Sequence, residues 1–311
     1  MPIMRTALIS LSHSRALQDA IVRVPVSRRM ARRFVAGETL EQAIAAVLDL
    51  NDRGMVATLD HLGENVTSEA AARSAANDYL LALEALNASG AACNVSLKLT
   101  QMGLDLCDDF CYENVRRVVR RAIELGNFVR VDMEGSALTE RTLAVYRQLR
   151  REFDNVGIVI QAYLHRSQSD VEALIAEGIG HFRLCKGAYD EPETIAYRER
   201  ARVTVAMNEL IRTCMLPQSL AKGAYCAVAS HDEDVINFTR AFVYQNEVLP
   251  TSYEFQMLYG IRRELQNELL QRGYKVRIYV PYGTHWYPYF MRRLAERPAN
   301  LFFFLRALVG D

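Results

Sequence analysis

The sequence predicts an α/β chain folded as a closed (βα)8 barrel. Three observations lead there: eight short apolar runs of strand length, amphipathic helical stretches between them, and polar residues gathered at or just past the C-terminal ends of the runs. The runs are residues 55–60, 94–99, 128–133, 156–163, 181–187, 224–230, 253–258 and 276–282. Residues 68–87, 111–124, 139–151, 169–177 and 194–214 carry helical periodicity and supply the crossovers that parallel strands require. A doubly wound sheet is the alternative, and eight strands favour closure.

In chain order, residues 1–50 read as mainly helical, with apolar turns at 16–22 and 39–50 on either side of a basic patch, Arg28, Arg29, Arg32 and Arg33. Residues 1–45 are expected to pack on the barrel as an N-terminal helical segment, with 46–311 as the catalytic barrel. The first run ends in Asp60, His61 and Glu64, the second in Lys98, the third in Asp132 and Glu134, and the fourth in Gln161. The fifth supplies Arg183 and Lys186, the sixth His231, the seventh Gln256 and the eighth Tyr279. A barrel brings these ends to one mouth, so residues remote in sequence become one candidate pocket. Taken singly, each could cap a helix or satisfy a buried backbone group. After the eighth run a helix carries Arg292 and Arg293, and the apolar stretch 301–305 is too short to span a bilayer.

Composition narrows the class of function. The chain has 311 residues, 50% of them hydrophobic, enough for a substantial core. Lys+Arg and Asp+Glu both total 37, which argues against a broadly basic nucleic-acid surface and leaves room for a local cationic pocket. Arg5, Arg15 and Arg23 interrupt the apolar N-terminus, so neither a secretory signal nor a membrane span is read there. A cytoplasmic protein is expected, with peripheral contact at the inner face of a membrane as the alternative raised by residues 301–305. Six cysteines without a CxxC pair, and no HExxH, give no metal site. Without a Walker loop or GxGxxG turn, a nicotinamide-type dinucleotide fold is disfavoured against a barrel-held cofactor or cofactor-free chemistry.

Neighbouring guanidiniums repel and invite an anion, and the Arg292-Arg293 forks suit a carboxylate or phosphate, with nearby tyrosines to wall an organic ligand. A solvated helix face is the competing reading. Lys98, Arg183, Lys186, Arg292 and Arg293 surround Asp132, Glu64 and Glu296, and Glu296 is spaced to orient either arginine of the doublet on a helix. Gly187 and Ala188 permit close backbone approach to a ligand. His231-Asp232 offers an acid–base group but lacks a serine nucleophile, and Cys185 beside Lys186 reads as a buried thiol rather than an activated one.

The motifs Leu59-Asp-His-Leu-Gly-Glu64, Ser96-Leu-Lys98, Val131-Asp132, Arg183-Leu-Cys-Lys-Gly-Ala-Tyr189, Ser230-His-Asp232, Phe255-Gln-Met-Leu-Tyr-Gly260 and the Tyr279/Arg292-Arg293/Glu296 pattern extend over roughly residues 35–305. Together they resemble the monofunctional flavin-dependent proline dehydrogenase family. The resemblance implies a distorted (βα)8 TIM barrel with its final helix over the active-site mouth and non-covalent FAD at the strand ends. It implies that Lys98, Arg292 and Arg293 bind the proline carboxylate, that Tyr189, Leu258, Tyr279 and Tyr289 wall the ring, and that Glu64 pairs reversibly with Arg292. Asp132, Met133, Gln161, Arg183, Lys186, Gly187, Ala188, Ser230, His231 and Glu296 are the implied cofactor residues. The implied reaction oxidises L-proline to 1-pyrroline-5-carboxylate by hydride transfer to flavin N5, with a quinone as the next acceptor, as the first step of proline catabolism. With little room for a second catalytic domain, the product is expected to leave, and a 1-pyrroline-5-carboxylate dehydrogenase is the expected transient partner. Asp232 stands where some relatives carry Asn, and Cys185 where many carry an aliphatic residue. Hydroxyproline oxidation is the closest alternative, disfavoured by the bulk of Tyr279, and a non-catalytic ligand-binding barrel is the more distant one.

Overall fold

The computed structural model describes residues 31–296. Eight parallel strands close in sequence order: β1 (Val56–His61), β2 (Cys93–Lys98), β3 (Val129–Asp132), β4 (Val156–Gln161), β5 (His181–Cys185), β6 (Tyr225–Ala229), β7 (Tyr253–Leu258) and β8 (Val276–Tyr282). β8 returns to β1 in parallel register, from Val56 opposite Arg277 to His61 opposite Tyr282, which completes the barrel. Every boundary falls within two residues of the corresponding predicted run.

Around the barrel lie α1 (Leu40–Asp52), α2 (Glu69–Ser89), α3 (Asp108–Glu124), α4 (Thr139–Arg150), α5 (Ser167–Ala176), α6 (Arg200–Met215), the single turn α7 (Pro217–Leu220), α8 (Glu233–Gln245), α9 (Arg263–Gln271) and α10 (Trp286–Glu296). Local chemistry sets several starts. Thr39 and Gln42 form a reciprocal capping box at α1, Ser68 caps α2, and Asp232 caps α8 by accepting from the Asp234 N–H at 3.2 Å. Ala72, Ala76, Tyr79, Leu83 and Leu86 give α2 a buried stripe at helical spacing, and Gly90 ends it in the left-handed region.

The helix expected over 194–214 begins only at Arg200. Residues 194–199 are drawn to the exit of β4, where the His165 N–H donates to Ile195 O at 2.9 Å and the Tyr197 N–H to Tyr163 O at 2.8 Å. Those cross-loop bonds take backbone groups that a helix would otherwise use.

The barrel interior is polar. Val95, Leu97, Val129, Val131, Phe255, Ile278 and Val280 join the apolar core, whereas alternate residues on the same strands bond to one another across the barrel. Arg130 on β3 donates to the β5 carbonyl of His181 at 2.7 Å, and Arg277 on β8 pairs with Glu254 on β7 at 2.7 Å. This is the period-two alternation of a strand with both faces buried.

Residues 31–38 lie against β8 and the start of α10. The Ala36 N–H donates to Pro281 O and the Gly283 N–H to Gly37 O, both at 2.9 Å, and the Phe34 and Phe290 rings lie 6.3 Å apart. Gly260 permits the crossing: its φ is +72°, and a Cβ there would sit 1.6 Å from the Arg33 carbonyl oxygen. The predicted helix 16–22, Arg28, Arg29 and the apolar stretch 301–305 fall outside the described residues. Among the described residues, no helix is long and apolar enough to cross a membrane.

Candidate active site

The C-terminal strand ends assemble a buried charge network. Asp132, the last residue of β3, accepts from Ser96 Oγ at 2.6 Å, Arg183 Nη1 at 2.7 Å and Tyr279 OH at 2.7 Å. Thus β2, β3, β5 and β8 converge on one carboxylate. The Tyr279 ring also lies 5.0 Å from the Arg183 guanidinium carbon, and burial followed by the Asp132 charge raises its phenol well above the ordinary range. Arg183 Nε donates to Gln256 Oε1 at 2.6 Å, which adds β7.

Lys98 ends β2 and pairs with Asp60 of β1, Nζ to Oδ2 at 3.3 Å, both nearly inaccessible. Burial alone would depress the ammonium. The fields of Asp60, Asp132 and Glu64 outweigh that burial and raise its pKa, so Lys98 stays charged. Tyr79 OH comes within 3.4 Å of the other Asp60 oxygen.

α10 crosses the mouth. Arg292 pairs with Glu64, beyond β1, at 3.0 Å for Nη1–Oε1 and 3.3 Å for Nη2–Oε2. Arg293, the next residue, is buried with its guanidinium carbon 5.1 Å from the Tyr289 ring, and its field reaches the Cys185 thiol at the end of β5, the strand opposite β1. The doublet is therefore a roof and not a solvated helix face. Tyr189 completes that side, its phenol raised mainly by burial against the pull of Arg292 and Lys98.

Several predicted positions line the β4–β6 side. Gln161 Nε2 donates to Met133 O at 3.1 Å, while Gln161 Oε1 and Arg183 Nη2 are buried without a protein partner. Gly187 has φ +106°, and a Cβ there would lie 2.3 Å from the Tyr163 ring, so the turn into Ala188 admits no side chain at that point. Lys186 Nζ is held by Asp232 Oδ2 and Thr204 Oγ1, each at 2.6 Å. Asp232, the departure from the family pattern, thus serves as a counter-ion, which Arg200 also reaches at 3.1 Å. Ser230 Oγ accepts from the Asp232 N–H at 3.1 Å. His231 Nε2 accepts from the Leu258 N–H at 3.0 Å, which leaves the ring proton on Nδ1. Burial pushes the Cys185 thiol up to about 11, in keeping with an unactivated thiol. The Glu296 side chain lies outside what the structure describes.

The pairing of Asp60 with Lys98, the placement of Ser96 on Asp132, and the Glu254–Gln256 pair behind Arg183 have no local motif. Their one sequence signal is a polar or charged residue inside an otherwise apolar strand run. Glu134 is of the same kind: its carboxylate accepts from the Thr100 N–H at 3.0 Å and Thr100 Oγ1 at 2.6 Å and ties the loop after β2 to that after β3.

Comparison with known proteins identifies the family. The family model described as proline dehydrogenase matches residues 43–306. The chain is 40% identical over 307 residues to proline dehydrogenase 1 of Bacillus subtilis (strain 168), covering 99% of each, and 41% identical over 285 residues to the proline dehydrogenase of Deinococcus radiodurans, covering 90% of each. Among solved structures it is similar to proline utilization A from Bdellovibrio bacteriovorus inactivated by N-propargylglycine, with a TM-score of 0.81 and 26% identity over 87% of this chain and 33% of that one. A model match across most of the chain and near full-length relatives at this identity establish that the chain belongs to the proline dehydrogenase family.

Proposed function

We propose that the chain oxidises L-proline to 1-pyrroline-5-carboxylate with non-covalent FAD, and passes the electrons to a quinone. The observation that carries this reading is the convergence of Lys98, Arg292 and Arg293 at one barrel mouth, where Arg292 is balanced by a glutamate that a substrate carboxylate can replace. The residues fit a flat, polar cofactor at the β4–β5 ends. Gln161 Oε1 and Arg183 Nη2 are buried polar atoms left without a protein partner.

Asp132, Met133, Gln161, Arg183, Lys186, Gly187, Ala188, Ser230, His231 and Glu296 would hold FAD. When bound, FAD supplies the acceptor at N5 for the hydride from the ring carbon beside the amine. Lys98, Arg292 and Arg293 hold the proline carboxylate and so orient that carbon. Tyr189, Leu258, Tyr279 and Tyr289 enclose the ring. Tyr279 is a rigid wall because its hydroxyl donates to Asp132 and its ring packs on Arg183, and a ring hydroxyl directed at it meets a fixed surface. As the carboxylate arrives, Arg292 exchanges Glu64 for the substrate, and α10 closes over the ligand and excludes water. The substrate enters as the free amine, its proton lost to solvent before closure.

The product leaves by diffusion to a 1-pyrroline-5-carboxylate dehydrogenase, a transient partner. We place the chain in the cytoplasm, with peripheral contact at the inner membrane face where a quinone is reached. Trapping of the released cyclic imine with o-aminobenzaldehyde tests the reaction. The coloured adduct should form with L-proline and an added quinone, and its absence from folded, FAD-loaded protein would overturn the reading.

A further inference from the structure

We propose that Gln256 is a positioning residue for Arg183, set in its working orientation by Glu254. The proposal rests on the cofactor reading above, in which Arg183 faces the flavin.

A side-chain amide can sit either way round, and here the neighbours decide. Glu254 Oε1 accepts from Gln256 Nε2 at 2.6 Å, so the amide oxygen is turned to Arg183, whose Nε donates to it at 2.6 Å. The reversed amide would set its NH2 group against an N–H of Arg183, donor facing donor. Glu254 is anchored in turn by Arg277 Nε at 2.7 Å and Lys275 Nζ at 3.1 Å, and Arg277 Nη1 donates to Ala57 O at 2.6 Å. Burial would raise the Glu254 carboxyl, but these cations hold it at about 2, so it remains an acceptor at any physiological pH.

Apart from Nη2, the rest of the Arg183 guanidinium is also taken up. Asp132 and Ser96 bind Nη1 at 2.7 and 3.1 Å, and Tyr279 covers one face. Nη2 is the buried nitrogen with no protein partner. Gln256 therefore fixes the rotation that delivers Nη2 to a ligand, and it does so from below, without a place in the mouth itself. A chain of polar contacts leads from Lys275 and Arg277, which line a cavity of 570 Å³ at the N-terminal face of the barrel, through Glu254 and Gln256 to Arg183.

The test is Gln256→Met, which keeps length and volume but removes the acceptor. In FAD-loaded protein the rate constant of flavin reduction at saturating L-proline should fall about 10- to 100-fold, the cost of a displaced reacting geometry. The proline Kd should stay within about twofold, since the carboxylate clamp is elsewhere. The two-electron midpoint potential, set by redox titration without proline, should drop by about 30 mV, a tenfold change in that equilibrium. A filler residue would change the melting temperature but not the potential. Gln256→Glu keeps an oxygen opposite Arg183 Nε but sets a second carboxylate against Glu254 Oε1, so it should not restore the rate lost in the methionine variant. If Gln256→Met does not fold, Gln256→Asn, which draws the amide back by one methylene, carries the same expectations. An unchanged potential with an unchanged reduction rate in folded, loaded variant would overturn the proposal. The potential is read whether or not proline is the substrate, so failure of the parent chain to react with proline would count against the functional reading alone.

Discussion

Arg292 faces Glu64 through both ends of its guanidinium, at 3.0 and 3.3 Å, so α10 is latched to the loop that leaves the first strand. The latch partner is a carboxylate, the same group that the substrate carries. Under the proposed function, Glu64 and the amino-acid carboxylate compete for one fork, and closure responds to occupancy.

Arg292→Ala removes the latch along with one clamp. Its kinetic defect should exceed its binding defect: stopped-flow flavin reduction is expected to slow more than the proline Kd weakens. Unaffected association and reduction would contradict the assignment.

Arg293→Ala is the cleaner binding probe, because the Glu64 latch is made by Arg292 through both terminal guanidinium nitrogens. Loss of one buried carboxylate clamp should weaken proline binding by about 2 to 5 kcal/mol, with flavin occupancy preserved. Calorimetric titration at matched FAD content measures this, and an unchanged affinity would count against the role.

Asp60→Asn should destabilise the fold by about 3 to 5 kcal/mol, since it strands a buried ammonium. Lys98 has a folded pKa above its ordinary one, so the pair's stabilisation is full below the ordinary lysine value and fades only as pH rises through the folded value. In the variant the main counter-charge is gone and burial dominates. The melting-temperature deficit against the parent should accordingly be larger at neutral pH than near the ordinary lysine value, and an equal deficit across that range would argue against the pair.

Glu254 predicts an acid limb. Burial opposes ionisation, yet Arg277 and Lys275 bring the carboxyl down from 4.5 to about 2, a difference of about 3 kcal/mol at neutral pH. That stabilisation is present above the ordinary carboxyl value and is lost as pH falls from 4.5 toward 2. Denaturant melts of Glu254→Gln should therefore start less stable and lose less between those limits than the parent, and parallel curves would exclude the effect.

The fold was legible because buried strands such as residues 156–160 are nearly all apolar and β-branched, and because polar residues mark their mouths. The start of α6 was not, since Thr194–Glu199 has helical composition and only the Tyr163 and His165 backbone draws it away. In the site, Asp132, Arg183, Arg292 and Arg293 stand out by charge at strand ends or in a doublet. Asp60 and Gln256 were visible as strand-end polar residues, but their work depends on partners tens of residues away on other strands, Lys98 for one and Arg183 for the other. Spacing along a strand says which side chains face inward, and it cannot say which of seven other strands supplies the bond.

The most direct measurement is anaerobic mixing of the FAD-loaded chain with L-proline or trans-4-hydroxy-L-proline while the oxidised flavin band is followed. L-Proline should bleach it, and faster than the hydroxylated ring; an unbleached band in folded, flavin-loaded protein would contradict proline oxidation, and faster bleaching by hydroxyproline would contradict the ring preference assigned to Tyr279.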